Sequence, residues 1–271
     1  MPDPFFRVKL HHETQGSGPP LLILHGFLGS SANWRSVARA LSDLRTVILA
    51  DLRSHGRSRH HRELSLPALA SDIAELLRDE GHSGADVAGH SLGGKVAMQT
   101  ALDHPKLLTS LIVLDIAPGA RPLESDEPLT ACLQLDLERI TNREDAVAEL
   151  GGRLGSESLA RWLAMNLERD GGGLRWRIPL PILHDARAQM AAAVAGTRPY
   201  PGPTLFLRGA RSGFVTDDDR QEIQALFPSA TIETIENAGH WLHQDAFDEV
   251  VAKLRSFLQA RDRLAKPPLR L

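Results

Sequence analysis

The segment Val87-Ala-Gly-His-Ser-Leu-Gly-Gly-Lys-Val-Ala-Met98 matches two motifs that carry different chemistry. Read as G-x-S-x-G, it presents Ser91 as a nucleophile on a sharp turn. Read as G-x-x-x-x-G-K, it contains most of a phosphate-binding loop in which Lys95 reaches the phosphates. Both motifs lie between a strand and a helix, so individual residues of the segment must decide between them.

The phosphate-binding alternative lacks one essential group. A serine or threonine must follow the lysine, because its hydroxyl binds the metal ion, and this chain has Val96 there. The nucleophile motif needs no substitution. Gly89 and Gly93 flank Ser91 at positions where side chains would collide with the strand and the helix. We therefore predict a nucleophilic serine at 91 and a solvated or structural role for Lys95.

The composition limits the classes of protein to consider. The chain has 271 residues, 42% of them hydrophobic and 24% charged, which is typical of a globular protein with one large domain. Its net charge of −3 gives no basic surplus for a nucleic-acid partner. Cys132 is the only cysteine, so no intrachain disulfide is possible. No signal peptide and no membrane span are expected, and we predict a cytoplasmic protein.

Short apolar runs recur along the chain, each followed by a turn or a helical pattern. Such runs are typical of parallel strands buried on both faces, and they occur at residues 21–24, 46–50, 85–88, 111–114 and 204–207, with a last strand at 231–235. Amphipathic helices alternate with them. This alternation predicts an α/β fold with a mainly parallel sheet flanked by helices.

One segment interrupts the alternation. Residues 119–203 are mostly helical in pattern and lie between two predicted core strands. We predict that they form a helical cap inserted into a core made of residues 1–118 and 204–265. The tail, residues 266–271, is predicted to be disordered.

A nucleophilic serine needs a base, because its alkoxide is not available at neutral pH without help. His240 follows the last predicted strand on the small-residue loop Asn237-Ala-Gly-His240, which can place its side chain over the carboxyl edge of the sheet. The first core strand leads directly into His25-Gly-Phe-Leu-Gly29. In such an architecture the backbone N–H groups of Phe27 and Leu92 are expected to stabilise the tetrahedral oxyanion.

In this order along the chain, these motifs resemble the α/β-hydrolase superfamily. The resemblance also implies a narrower branch, that of small carboxylesterases and acyl-CoA thioesterases with a short helical cap. The motifs that carry it are His25-Gly26, Asp51-Leu-Arg-Ser-His-Gly-Arg-Ser58, Gly89-His-Ser-Leu-Gly-Gly-Lys-Val-Ala-Met98, Leu114-Asp-Ile-Ala-Pro118 and Ala238-Gly-His240.

A third catalytic group should orient the histidine and stabilise its imidazolium. In most of the superfamily this acid follows the strand at 204–207, where this chain reads Gly209-Ala-Arg-Ser212 and offers only a serine. Asp115 ends the strand after the nucleophile and projects from the same edge of the sheet, and the resembled branch places its acid there. We favour Asp115. The alternative acids are Asp185 and the run Asp217-Asp-Asp219. That run is explained more simply as the solvated N-terminal cap of a helix.

The predicted function is hydrolysis of a carboxylic ester or an acyl thioester, including acyl-CoA, through an acyl-enzyme. The predicted catalytic residues are Ser91, Asp115 and His240, with no cofactor and no metal. His25 and Trp241 are expected near the substrate pocket, although His25 more simply holds the loop that carries Phe27. Two alternatives stay open: carbon–carbon bond hydrolysis or peracid formation on the same fold, and a ligand-binding or regulatory protein with weak turnover.

Overall fold

The computed structural model describes residues 7–121 and 126–265. Nine strands and eleven α-helices occur within these ranges. The strands are β1 His12–Gly16, β2 Pro20–Leu24, β3 Thr46–Ala50, β4 Ala85–His90, β5 Leu108–Leu114, β6 Leu167–Asp170, β7 Gly173–Trp176, β8 Thr204–Gly209 and β9 Ala230–Ile235. The helices are α1 Arg35–Leu41, α2 Leu66–Asp79, α3 Leu92–Asp103, α4 Asp126–Leu133, α5 Arg143–Leu154, α6 Glu157–Ala164, α7 Leu180–Asp185, α8 Arg187–Ala191, α9 Arg220–Leu226, α10 Leu242–Asp245 and α11 Phe247–Ala265.

Seven of the strands form one sheet in the order β1-β3-β2-β4-β5-β8-β9. Every neighbouring pair is parallel except β1 with β3. The prediction of an α/β fold with a mainly parallel sheet is therefore confirmed. Because the carboxyl ends of β2, β3, β4, β5 and β8 lie at one edge, the loops that follow them meet there.

Apolar side chains cover both faces of the sheet, which is why its strands read as continuous hydrophobic runs. On one face, α2 and α3 pack through residues such as Ile73 and Val96. On the other face, α1 and α11 contribute residues such as Leu41 and Leu254. The amphipathic pattern of residues 5–14 indicated a peripheral hairpin near this edge. The edge strand β1 has the sequence HETQG, is only partly buried and pairs with β3.

The segment between β5 and β8 contains α4 to α8 and also a two-stranded antiparallel sheet, β6 with β7. The mostly helical pattern expected for it missed this hairpin, whose turn falls in the glycine run Gly171-Gly-Gly173. Within residues 7–121 and 126–265 no helix has the length and hydrophobicity needed to cross a membrane. The predicted disordered tail, 266–271, lies outside the described residues.

Candidate active site

Ser91 sits in a strained turn between β4 and α3. Its backbone has φ 51° and ψ −119°, in a region that residues with a Cβ rarely adopt. The chain can pass through this turn because Gly89 and Gly93 have no side chains. A Cβ at Gly89 would lie 2.1 Å from the carbonyl oxygen of Gly93, and one at Gly93 would lie 2.5 Å from that of Leu24. Such crowding holds the serine at the start of a helix, above the carboxyl edge of the sheet.

Asp115 follows β5 and is fully buried. Its φ of 53° is also in the left-handed region, and its N–H donates to the carbonyl oxygen of Leu207 at 2.8 Å. Oδ2 of Asp115 lies 2.8 Å from Nδ1 of His240, and Oδ1 accepts the N–H of Gly209 at 2.9 Å. A carboxylate opposite Nδ1 favours the tautomer with a proton on that nitrogen and leaves Nε2 as the basic atom.

Ser212 also belongs to this group, and sequence reasoning missed its contribution. Its hydroxyl donates a hydrogen bond to Oδ2 of Asp115, the atom that also faces His240. The hydroxyl oxygen of Ser212 accepts the N–H of Phe214 at 3.2 Å, and the Phe214 ring packs on the His240 ring with centroids 4.1 Å apart. The serine at the position where most of the superfamily has an acid thus supports the carboxylate of the neighbouring strand.

The rival acids lie elsewhere. Asp217 is exposed and accepts hydrogen bonds from Arg208 and Arg220, which lower the pKa of its carboxyl. Asp219 binds Thr216 at the start of the same short helical turn, as a capping residue does. Asp185 is exposed at the end of α7. The carboxylate that binds His240 is that of Asp115.

The loop after β2 approaches the nucleophile closely. A Cβ on Gly26 would lie 3.4 Å from Cβ of Ser91. Leu28 has a positive φ of 59°, and its carbonyl oxygen accepts the side-chain amide of Asn166 at 2.8 Å. Leu92 is the first residue of α3, where a backbone N–H has no partner inside the helix. The N–H groups of Phe27 and Leu92 therefore belong to the two segments that border Ser91.

His25 holds this loop from below. Its Nε2 accepts the N–H of Leu52 at 3.0 Å, so the proton is on Nδ1, which donates to the carbonyl oxygen of Gly26 at 2.8 Å. Burial lowers the pKa of His25, which keeps this neutral form. The side chain is only 1% exposed, so it shapes the loop and does not offer a surface to a substrate.

Two further buried histidines surround the loop of His240. His90, directly before Ser91, has its Nε2 at 2.8 Å from the carbonyl oxygen of His240, and burial holds the pKa of His90 well below its usual value. His243 stacks on Trp34 at 4.3 Å, and burial lowers the pKa of His243 to about 4. Within the described residues no cluster of three or more His, Cys, Asp or Glu side chains could hold a metal ion.

Lys95 is buried and not solvated. Its Nζ donates to the carbonyl oxygens of Gly119 and Ala192, each at 2.6 Å, and more weakly to that of Ala191 at 3.4 Å. Of the two roles expected for this lysine, the solvated one is wrong. The side chain ties α3 to both ends of the segment that separates β5 from β8, and burial lowers its pKa to about 8. Its donors are committed to backbone carbonyls and not to a phosphate.

Trp241 follows His240 and is half-buried. Its ring meets that of Trp162, on α6, edge to face with centroids 4.6 Å apart. The two tryptophans border a cavity of about 130 Å³ that Leu159 and Gln244 also line. This cavity lies between α6 and the residues that follow His240 in the chain.

Comparison with known proteins agrees with this architecture. A family model described as alpha/beta hydrolase fold matches residues 19–247. The "sn-1-specific diacylglycerol lipase ABHD11" of Xenopus tropicalis is 34% identical over 257 residues, which cover 92% of this chain and 81% of that protein. "Esterase YbfF" of Escherichia coli K12 is 29% identical, with coverage of 91% and 95%. The solved structure of a "Marine microorganism esterase" superposes with a TM-score of 0.89 at 34% identity, covering 92% of this chain and 99% of that one. The chain therefore belongs to the alpha/beta hydrolase fold family, among relatives named as esterases and lipases.

Proposed function

We propose that the protein is a serine hydrolase that cleaves carboxylic esters of small molecules through an acyl-enzyme. The observation that carries this proposal is the bond from His240 to a buried carboxylate, next to a serine held in a strained turn at a helix start. That arrangement is the one required to activate a hydroxyl nucleophile. The names of the relatives, esterase and lipase, support the same reaction class.

In the proposed reaction, Nε2 of His240 takes the hydroxyl proton as Oγ of Ser91 attacks the ester carbonyl. Asp115 stays ionised and stabilises the imidazolium through Nδ1. The N–H groups of Phe27 and Leu92 hold the negative oxygen of the tetrahedral intermediate. The intermediate collapses, His240 protonates the departing alcohol, and the acyl group stays on the serine.

Deacylation repeats these steps with water as the nucleophile. His240 takes a proton from a water molecule, and the resulting hydroxide attacks the acyl-enzyme carbonyl. The second tetrahedral intermediate expels Oγ of Ser91, which recovers its proton from His240. The carboxylic acid leaves, and every group of the enzyme returns to its starting state.

The segment 119–203 is proposed to act as a cap over this site. Two contacts support the proposal: Asn166 binds the loop beside Ser91, and Trp162 packs on Trp241. An acyl thioester is a second proposed substrate class, since the same machinery accepts a thiol leaving group. The cytoplasmic location stays a prediction of the sequence.

The test is labelling by a fluorophosphonate probe together with hydrolysis of p-nitrophenyl esters of graded chain length. The wild-type protein should label and turn over, whereas Ser91→Ala should not label and should lose ~10³-fold or more in kcat. Ser36→Ala, at an exposed serine of α1, is the matched control and should label normally. A folded Ser91→Ala protein with wild-type turnover would exclude the mechanism, and a ligand-binding protein without an activated serine would not label.

A further inference from the structure

A positively charged cavity lies on the seam between the sheet edge and the inserted segment. It has a volume of about 200 Å³. One wall of the cavity is formed by the loop after Gly29 and by the ends of β1 and β3. The opposite wall is formed by the inserted segment. Its charged lining residues are Glu13, Arg35, Asp51, Arg57, Arg143 and Arg177, and its apolar ones are Ala32 and Met165. We call it the arginine cleft.

Four arginines in the arginine cleft face two carboxylates, which leaves a positive excess. Glu13 is engaged by Arg35 through two hydrogen bonds, at 2.9 and 2.6 Å. Asp51 is buried and accepts the backbone N–H groups of Ser31 and Arg57, so its charge is directed toward the backbone. Arg57 also lies 3.6 Å from Glu13. In the described part of the chain, the arginines from the inserted segment, Arg143 and Arg177, are paired with neither of these two acids.

The two arginines from the inserted segment are the ones available to a ligand. Arg143 is exposed and donates to the carbonyl oxygen of Leu167 at 2.7 Å, and within the described residues it has no carboxylate partner. Arg177 is half-buried and shares Glu168 with Arg175. A guanidinium that binds a carbonyl keeps free donors for an anion, because it carries five N–H groups.

The same two arginines are joined to the proposed oxyanion loop. The backbone N–H of Arg177 donates to the carbonyl oxygen of Asn166 at 2.8 Å, and the side chain of Asn166 binds the carbonyl oxygen of Leu28. Arg143 binds the next residue, Leu167. One short segment therefore connects the arginine cleft to the loop that borders Ser91.

Sheet geometry sets the distance between the two sites. Asp51 follows β3, which is separated from nucleophile strand β4 by β2 alone. Two strand spacings place the end of β3, which lines the cleft through Asp51, about 10 Å from the end of nucleophile strand β4. An extended chain covers this distance in about nine covalent bonds, since three backbone bonds span about 3.5 Å. Met165, 38% exposed, gives the cleft an apolar wall beside its charges.

We propose that the arginine cleft binds an anionic group, a phosphate or a carboxylate, that the ester substrate carries about 10 Å from its scissile carbonyl. This inference rests on the proposed ester hydrolysis and narrows its substrate class. Arginine suits the role because its planar donors match both anions. The anion belongs either to the leaving alcohol or to the far end of the acyl chain, and two matched substrate pairs separate these sources.

The first pair is 6-(phosphonooxy)hexyl butanoate and 6-hydroxyhexyl butanoate, which differ only in a phosphate on the alcohol side. The second pair is p-nitrophenyl hydrogen sebacate and p-nitrophenyl decanoate, which differ in a carboxylate at the end of the acyl chain. In one pair the charged member should have the higher kcat/KM, by about tenfold at low salt. This preference should shrink as added salt screens the cleft.

Arg143→Gln and Arg177→Gln should each reduce the preference for the charged member by about threefold or more. Arg153→Gln is the matched control, because this arginine also lies on α5 but pairs with Glu149; it should keep the wild-type ratio. Equal kcat/KM within both pairs would overturn the proposal, as would a preference that survives both substitutions. Turnover of p-nitrophenyl acetate reports the proposed hydrolysis separately, and its absence from the wild-type protein would remove both inferences.

Discussion

The hydroxyl of Ser212 donates a hydrogen bond to Oδ2 of Asp115, the carboxylate oxygen that also lies 2.8 Å from Nδ1 of His240. The serine lies in the loop after β8 and the aspartate at the end of β5. Residues that follow two neighbouring strands therefore position one catalytic carboxylate. A carboxylate in a fully buried position needs such donors, because burial without them is costly.

Asp115→Asn should lower kcat by 10²–10⁴-fold, because the amide favours the wrong imidazole tautomer and removes the countercharge. The same change in the serine-protease triad has an effect of this size. Ester turnover at matched folding is the measurement. Asp217→Asn is the control and should cost less than about tenfold, since this exposed carboxylate binds the surface side chains of Arg208 and Arg220. A crippled Asp217→Asn beside an active Asp115→Asn would require the acid to be reassigned.

Ser212→Ala should reduce kcat by a smaller factor, roughly 3–30-fold, because it removes one donor to the carboxylate and leaves the carboxylate itself in place. Ser212→Thr keeps a hydroxyl at the same position and should restore most of the turnover. The two variants are compared by kcat and KM on one p-nitrophenyl ester. Equal losses in both would mean that the site responds to altered packing near Phe214 and not to the lost hydroxyl.

Lys95→Met should lower the free energy of unfolding by roughly 1–3 kcal/mol, since buried carbonyls lose their donor. Burial gives Lys95 a pKa of about 8 in the folded protein, below its usual 10.5. Between these pH values the unfolded chain holds the proton more often than the folded one does, so this lysine adds stability as the pH rises from 8 to 10.5. The stability gap between wild type and variant should therefore widen over that range.

Thermal unfolding of both proteins from pH 7 to 10 measures that gap. Lys253→Met, at a more exposed lysine paired with Glu233, should change stability little. ATP with magnesium should not raise the Tm of the wild-type protein. A magnesium-dependent shift that vanishes in Lys95→Met would restore the phosphate-binding reading of the turn.

His243→Phe should make the protein less sensitive to acid. The pKa of His243 is lowered by burial to about 4, so the folded protein keeps this ring neutral where the unfolded chain, with a usual value of 6.5, takes up a proton. Stability should then fall as the pH drops from 6.5 to 4, by up to roughly 3 kcal/mol from this residue. Phenylalanine can keep the stacking on Trp34 without titrating. The measurement is the free energy of unfolding from chemical denaturation at a series of pH values. If it changed with pH in the same way for wild type and variant, the prediction would be wrong.

Local sequence features predicted the sheet because each central strand is an uninterrupted apolar run that both faces of the sheet bury. The same criterion does not identify β1, whose polar residues lie at an edge and need no burial, or the hairpin of β6 and β7, which is short and partly exposed. In both places the strand is stabilised by its pairing, and pairing between distant or polar segments leaves little trace in local hydrophobicity.

In the candidate site, too, some residues could be predicted from the sequence and others could not. Ser91 stands in a motif whose glycines, Gly89 and Gly93, are required by the crowded backbone. His240 stands on a small-residue loop directly after the last strand, so local sequence indicated both residues. Ser212 could be recognised only as the residue that replaced an expected acid, because a donor to a carboxylate has no characteristic spacing. The burial of Lys95 was not readable either, since its partners are the backbone carbonyls of Gly119 and Ala192, and any residue type supplies a carbonyl.

The contacts of that lysine have a topological consequence. The carbonyl oxygens of Gly119 and Ala192 lie no more than about 5 Å apart, because each is 2.6 Å from the same nitrogen. The chain therefore leaves the sheet and returns to it through a single narrow neck. If the segment beyond the neck is a cap, as we propose, it should be exchangeable for one of different size while the strands on either side keep their places. We expect a segment grafted between these two residues to change the substrate preference and to leave Ser91, Asp115 and His240 in place.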